Sequence, residues 1–418
     1  MTTSFGAQTA ALSTGALFDE IPALRDLDPA DPYEAYRKIS GEPLVVAGGD
    51  VVILTRYADC NHILRHPDVS LRRNATPAFR GLTSSFLNVL DPPEHTRIRS
   101  IVNKAFTPRS VELLRPWLQD QVHGLLDSVS EGAPFDVIEG LAYPLPLNAI
   151  CELLGVPVED RRMIMGWSRP ITYGADLLAG RRSRDDQMLY RSTLRQFRLY
   201  THDLVEQRRQ FPGEDLLSRL IFTEVMGDRL TQREVVTTVM GLLITGHETA
   251  VSLIGHGTLA LVRHPDLRER VAIDESFADL FVEELLRYDS PVQATLRVAA
   301  RDLSVGGVHV RAGAAILVLL GAANRDADHF PAPDTFDVRR SNNRTHLAFG
   351  GGPHYCVGAP LGRLEARIAV AAMAARLVNP RRRPDGVRYD KSVMLRTQTR
   401  LEVDVDALAP RFPVAVGN

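Results

Sequence analysis

The chain is poor in cysteine, in tryptophan and in net charge, and it lacks any long uninterrupted apolar run. Its 418 residues hold three cysteines, Cys60, Cys151 and Cys356, far apart and odd in number. That excludes a disulfide framework and suits a reducing, cytoplasmic setting. A formal net charge of −2 gives no reason to expect nucleic acid or an acidic membrane as partner. No stretch has the apolar length of a membrane span. Met1 to Gly15 is small and polar, without the basic region or apolar core of a signal peptide, and is expected to be disordered. What is plentiful is apolar mass, 44% of the residues. That supports one large core or two smaller ones. No repeat or linker divides residues 16–418, which read as a single domain.

Local signals give a mostly helical chain. Asp31-Pro32-Tyr33-Glu34 opens a helix to about Ser40. Leu44 to Val46 and Val51 to Leu54 flank Gly48-Gly49-Asp50, a hairpin signal. Tyr57 to Arg65 is a short helix. Leu71 to Val89 is irregular, carries Phe79 and Phe86, and has the length of a binding loop or lid. Asp91 is the expected cap of the next helix, where His95 and Arg99, four apart, share a face. Val111 to Val129 and Pro144 to Leu154 read as helices. Glu159 to Gln210 reads as two more, broken around Pro170, Gly174 and Gly180.

Thr231-Gln232-Arg233-Glu234 is a capping box. It opens Val235 to Val262, apolar on nearly every face and therefore expected to be central and buried, at roughly 30 residues or about 45 Å. Asp279 to Tyr288 is a helix with Glu284 and Arg287 on one face and Arg340 as a candidate third partner. Pro291 to Leu320 is strand-rich, with a turn at Val305-Gly306-Gly307-Val308. Val393 to Leu395 and Leu401 to Val405 read as closing strands.

The most informative stretch is Phe349 to Glu365. Gly350, Gly351 and Gly352 allow a sharp turn that lies flat against a large ligand. Cys356 precedes a helical pattern, Leu361, Leu364 and Ile368, so a helix N-terminus stabilises its thiolate. A lone free cysteine is usually a small buried hydrophobe. Here Phe349, Gly350, Gly352, His354, Cys356 and Gly358 fill every defined position of F-G-x-G-x-H-x-C-x-G. The run resembles the haem-binding loop of the cytochrome P450 family.

The buried helix carries Thr245-Gly246-His247-Glu248-Thr249 in its interior, where an acid and an alcohol need a reason. A zinc-binding H-E-x-x-H fails, because Val251 stands at the fifth position. Two readings stay open. Thr249 can bond back to a carbonyl one turn earlier and kink the helix near Gly246. Alternatively, Glu248 and Thr249 form a proton relay. The stretch is similar to the P450 oxygen-activation motif, [A/G]-G-x-[D/E]-T-[T/S]. It departs at Thr245, in place of a small residue, and at Ala250, in place of the last hydroxyl.

The resemblance runs from about Asp31 to the C-terminal strands. It implies a mainly α fold, a large helical domain with a smaller β-rich region near the N-terminus. Haem b would lie between the long helix and the cysteine loop. Cys356 is implied as the iron ligand, and His95, Arg99, Arg297 and His354 as partners of the haem propionates. Glu248 and Thr249 are implied as the catalytic pair. Phe79, Phe86, Ile244, Thr245, Gln293 and Met394 are expected at the substrate. The implied activity is that of a monooxygenase hydroxylating or epoxidising an apolar small molecule, such as a polyketide, terpenoid or steroid. Electrons would come from NAD(P)H through an external ferredoxin and ferredoxin reductase, since nothing resembles a flavin or nicotinamide domain. Oxidative coupling, ring formation, desaturation, peroxide-driven chemistry and a non-catalytic haem-thiolate binder stay open at this point.

Overall fold

The computed structural model describes residues 21–46, 49–71, 86–172 and 183–411. The expected disordered N-terminus and Phe79 lie outside them. The principal helices are α1 (Tyr33–Ile39), α2 (Tyr57–Arg65), α3 (Glu94–Ala105), α4 (Arg115–Leu126), α5 (Pro144–Leu154), α6 (Arg161–Thr172), α7 (Arg184–Gln210), α8 (Gln232–Thr245), α9 (Glu248–Arg263), α10 (Glu275–Tyr288) and α11 (Ala359–Arg376). One large apolar core joins α3 to α11 and takes in both halves of the long helix.

The strands that matter here are β1 (Leu44–Val46), β2 (Val51–Leu54), β3 (Val69–Ser70), β4 (Phe135–Asp136), β5 (Thr295–Ala299), β6 (Leu303–Val305), β7 (Val308–Val310), β8 (Ala315–Val318), β9 (Arg381–Tyr389) and β10 (Gln398–Asp404). Five of them form a sheet in the order β1-β2-β8-β5-β3, with β8 parallel to β2 and the other neighbours antiparallel. The expected β-rich region thus unites residues near the N-terminus with residues near 300. Strand β2 is buried throughout because alternate side chains feed two different cores. Val52 and Leu54 join one small cluster, Val51 and Ile53 another.

The long helix is two helices. The Thr231 box caps α8, with Thr231 accepting from Glu234 N–H and Glu234 reaching back. Gly246 N–H to the Leu242 carbonyl closes the first half at 2.9 Å, and Val251 N–H to the His247 carbonyl, 3.1 Å, resumes the second. By length and composition residues 232–263 could cross a membrane, but most of the apolar window is buried inside the protein. On α9, a Cβ at Gly257 would stand 2.6 Å from Val370 of α11 and 3.3 Å from Leu285 of α10. The missing side chain lets those three helices meet.

Some local expectations are corrected. Asp91 does not cap α3, whose N-cap is Pro93 without a side-chain bond. Its carboxylate accepts instead from Leu71 N–H at 3.0 Å and from the Ser70 hydroxyl. Val111 to Val129 divides into Pro108–Glu112 and α4, because Pro116 has no N–H to continue the ladder. Val393 to Leu395 makes only an isolated bridge, Leu395 to Val292. The strand before β10 is β9, whose arginines, proline and irregular register hide the alternation that marks a strand.

Candidate functional site

The cysteine loop is fixed by its own backbone. Gly350 and Gly352 adopt φ of +70° and +64°. A Cβ at Gly352 would stand 2.4 Å from the Leu64 carbonyl of α2, so only glycine fits there. Cys356 N–H returns to the Phe349 carbonyl at 3.0 Å, closing the loop. Cys60 and Cys151 are buried, whereas Cys356 is exposed. Protein atoms still crowd it from behind and raise its thiol pKa. The Gly358 amide at the start of α11, then the Arg99 and Arg363 guanidiniums, act in the opposite direction and favour thiolate.

Around this thiol stand the other four predicted ligand-holding residues. His95 of α3 meets His354 with ring centroids 4.0 Å apart and planes tilted by 37°. Arg99, one turn on, donates to the Tyr355 carbonyl at 2.8 Å and to Asn103 at 2.9 Å. Arg297 of β5 is buried, donating to Thr295 Oγ1 at 2.7 Å and to the Leu296 carbonyl at 2.9 Å. Burial holds its pKa down at about 10, with only Asp91 opposing. His354 is depressed to about 3, by burial first and then by His95 and Arg297. Burial and Arg99 lower His95 as well. Both ring nitrogens of His95 are buried with no hydrogen-bond partner among the described residues.

Four donors therefore converge with one carboxylate in reach among the described residues, Asp91, and that one is committed to Ser70 and Leu71. Such a cluster is complementary to an anion carried by a ligand.

The second constellation is the helix break. Thr245 Oγ1 donates to the Gly241 carbonyl at 2.8 Å, and Thr249 Oγ1 to the Thr245 carbonyl at 3.3 Å. The back-bonded reading of Thr249 is thus observed, with the break at Gly246-His247. Thr245 is exposed while Ile244 and Thr249 are half-buried, so the two hydroxyls stack one turn apart on an open face. Glu248 is half-buried and His247 wholly buried.

A family model described as Cytochrome P450 matches residues 276–377. The chain is 37% identical over 357 residues to vitamin D(3) 25-hydroxylase of Pseudonocardia autotrophica, covering 82% of this chain and 86% of that one. It is 39% identical over 360 residues to the cytochrome P450 monooxygenase PikC of Streptomyces venezuelae, covering 83% and 84%. The ligand-free crystal structure of CYP164A2 from Mycobacterium smegmatis superposes with a TM-score of 0.83 at 39% identity, covering 94% and 100%. The chain belongs to the cytochrome P450 family. It has that family's mainly α fold and its monooxygenase activity.

The P450 cofactor is haem b, with electrons arriving from NAD(P)H through redox partners. The residues fit it. An accessible cysteine at a helix N-terminus suits the iron, and four cationic or neutral donors, whose neighbouring Asp91 is bonded elsewhere, suit two propionates. An anion there would also oppose the burial, and then the neighbouring cations, that depress His95 and His354.

The substrate calls fare unevenly. Phe86 is buried in the main core, Ile244 packs against it, and Thr245 faces outward. Gln293 is buried, its amide donating to the Ser290 carbonyl at 2.6 Å and its backbone pairing with Met394 and Gly321. Met394 packs with the small cluster of Tyr33, Tyr36 and Val393. Both residues lie at the junction of sheet and helices.

Sequence reading missed a group behind the thiol. Glu283 of α10 pairs with Arg363 through two oxygens, the longer contact 3.1 Å, and lies 3.2 Å from His346. Arg363 also reaches the Tyr355 hydroxyl at 3.1 Å and covers the Phe349 ring at 4.5 Å. The signal was present in Glu283-Glu284, two adjacent acids inside an apolar helix, which need two separate partners.

Proposed function

We propose that this P450 binds haem b through Cys356, with His95, Arg99, Arg297 and His354 on its propionates, and oxidises an apolar small molecule. The observation that carries the reading is the accessible thiol beside four convergent donors, whose one carboxylate in reach among the described residues, Asp91, is bonded to Ser70 and Leu71. When bound, the haem supplies dioxygen activation at a thiolate-ligated iron. The chain's own residues do the rest. Gly358 N–H, Arg99 and Arg363 favour the Cys356 thiolate against burial and temper its charge. Thr249 donates a proton through a hydroxyl whose present bond, at 3.3 Å, is long enough to be given up cheaply. Glu248, half-buried beside it, resupplies that proton. Ile244 and Thr245 line the open face of the helix and meet the substrate.

Three finer points belong to the same proposal: a single domain, a cytoplasmic location, and a ferredoxin with its reductase as electron donors. A relative that hydroxylates vitamin D(3) supports an apolar small-molecule substrate, whether steroid, terpenoid or polyketide. The reduced protein with carbon monoxide should show the long-wavelength band of a haem-thiolate, and Cys356→His should move it to that of a histidine-ligated haem. An unmoved band overturns the ligand assignment. A spectral-shift screen of apolar compounds, then mass spectrometry of turnovers with NADPH, ferredoxin and reductase, should find a product heavier by one oxygen atom.

A further inference from the structure

Two guanidiniums act on the Cys356 thiol, and their partners differ. Arg99 donates to the Tyr355 carbonyl and to Asn103 Oδ1, two neutral acceptors that leave its charge whole. Arg363 of α11 is committed to an acid. Its Nε meets Glu283 Oε1 at 2.5 Å and its Nη2 meets Oε2 at 3.1 Å, the two-pronged fit of a guanidinium to a carboxylate. Glu283 is fixed from a third side as well. His346 Nδ1 accepts from Ala348 N–H at 3.2 Å, so in the neutral ring Nε2 carries the hydrogen and donates it to Glu283 Oε2 at 3.2 Å. Burial works against the Glu283 charge, but His346 and Arg363 outweigh it and hold the carboxyl down at about 2. The pair is therefore ionised and ordered.

A pair that served only to tie α10 to α11 would need no contact with the cysteine loop. This one has two. Arg363 donates through Nη1 to the hydroxyl of Tyr355, the residue before Cys356, at 3.1 Å. Its guanidinium carbon lies 4.5 Å from the centre of the Phe349 ring, and the Phe349 carbonyl accepts Cys356 N–H at 3.0 Å. The cation is thus pinned at both ends of the loop that presents the thiol, and Glu283 both holds it there and cancels much of its charge.

We propose that Glu283, oriented by His346, is a positioning residue for Arg363 and sets how much positive charge the Cys356 thiolate feels. It thereby sets how readily the haem iron accepts an electron. The proposal rests on Cys356 as the iron ligand. Glu283→Gln keeps the shape of the side chain and an acceptor oxygen while removing the charge. Arg363 then acts on the thiolate uncompensated. Positive charge beside an electron-rich ligand stabilises the reduced state and weakens donation to iron. The Arg363 side chain is 29% exposed against 3% for Glu283, so water can solvate the cation left behind and the variant should fold.

The test is the midpoint potential of the substrate-free, haem-loaded protein, with the infrared stretch of bound carbon monoxide as an independent measure. In Glu283→Gln the reduction equilibrium should shift roughly three- to tenfold toward the ferrous form, about 30–60 mV for one electron. The carbon monoxide stretch should move to higher frequency. Glu283→Asp withdraws the carboxylate by one methylene and should give a smaller shift of the same sign. It carries the test if Glu283→Gln yields no haem-loaded protein. Glu283→Gln combined with Arg363→Gln removes both charges and should return close to the parent value. A shift that persists in the double variant overturns the proposal, because Glu283 would then act without Arg363. Lower thermal stability with an unchanged potential and carbon monoxide stretch also overturns it, leaving a structural ion pair and Cys356 still the ligand. A parent protein without the haem-thiolate band overturns the ligand reading and this proposal with it.

Discussion

At the scale of single residues, the deciding question is which polar groups lack a partner. In sequence Arg297 is a strand arginine that only the family resemblance assigns to a propionate. The structure buries it at 7% exposure with no carboxylate ion pair among the described residues. Arg297→Ala should weaken haem retention by one charge-assisted bond, about 1.5–3 kcal/mol or roughly ten- to a hundredfold. The rate of haem transfer to an acceptor protein measures it, and an unchanged rate would contradict the assignment. His256 gives a prediction about pH. It is buried on α9, its Nδ1 lies 2.9 Å from the Asp289 carbonyl, and its Nε2 has no partner among the described residues. Burial lowers its pKa from 6.5 to about 4, with the Asp289 carboxylate opposing that shift and Arg396 reinforcing it. The folded value is below the unfolded one, so between these pH values the unfolded chain holds more proton. This contribution to stability is complete above pH 6.5 and declines as pH falls toward about 4, by up to about 3 kcal/mol. His256→Asn keeps a donor for Asp289 and should flatten the loss, measured as urea midpoints between neutral pH and the acid limb. An equal acid slope in both proteins would count against a neutral buried His256.

At the scale of elements, sequence was most informative where a local rule names both partners. The Thr231 capping box, the Gly306-Gly307 turn joining β6 to β7, and the termini of α5 were all legible for that reason. The long buried helix was legible as apolar, but its division was signalled only by Gly246 and by polar residues at the same place. Contacts between elements were not legible, since no spacing links Glu283 to Arg363 or to His346. The Glu284–Arg287 pair lies between these cases. The spacing was visible, whereas its closure required the fold. Arg287 donates to both carboxylate oxygens at 2.8 and 2.7 Å and to the carbonyls of Asn324, Pro333 and Thr335, while Arg340 lies 3.5 Å from Glu284. Both members of the pair are wholly buried. Glu284→Ala leaves a buried guanidinium unneutralised and should cost about 3–5 kcal/mol. Loss of folded, haem-loaded protein in thermal melts would show it. Thr249→Ala is the opposite kind of change. A half-buried back-bonded hydroxyl contributes little to the fold, so the melt should barely move. NADPH should instead be consumed with release of hydrogen peroxide and little product. A destabilised but fully coupled variant would mean that Thr249 serves only the helix.

At the scale of the whole molecule, the site needs the helical core and the sheet region to stay in register, because Arg297 comes from β5 and Cys356 from the loop before α11. One buried knot ties the two regions together. Arg396, between β9 and β10, pairs with Asp289 at the end of α10 and donates to the carbonyls of Pro29 at 3.2 Å and Ala30 at 2.7 Å. Tyr33 donates to the same Asp289 oxygen at 3.1 Å. Burial opposes ionisation of Asp289, but Arg396 and the neighbouring His256 outweigh it and hold the carboxyl well below its usual range. Residues near 30, 289 and 396 therefore share one charge pair. No periodicity or motif could have shown it, because each partner satisfies the others across hundreds of residues. Arg396→Met removes the cation but keeps most of the side-chain volume. It leaves Asp289 buried and unpaired, at a cost of about 3–5 kcal/mol. The loss should fall first on the N-terminal segment, since both carbonyl contacts of Arg396 are made there. Trypsin should then cut at Arg25 or Arg37 before the helical core opens, and denaturant unfolding should broaden or divide into two transitions. Pairing Arg396→Met with Asp289→Leu removes both charges together and should recover most of the loss. If the single variant unfolds in one sharp transition and its N-terminal segment resists trypsin as in the parent, the knot does not join the two regions. The register between Arg297 and the cysteine loop would then have to be kept by the apolar cores alone.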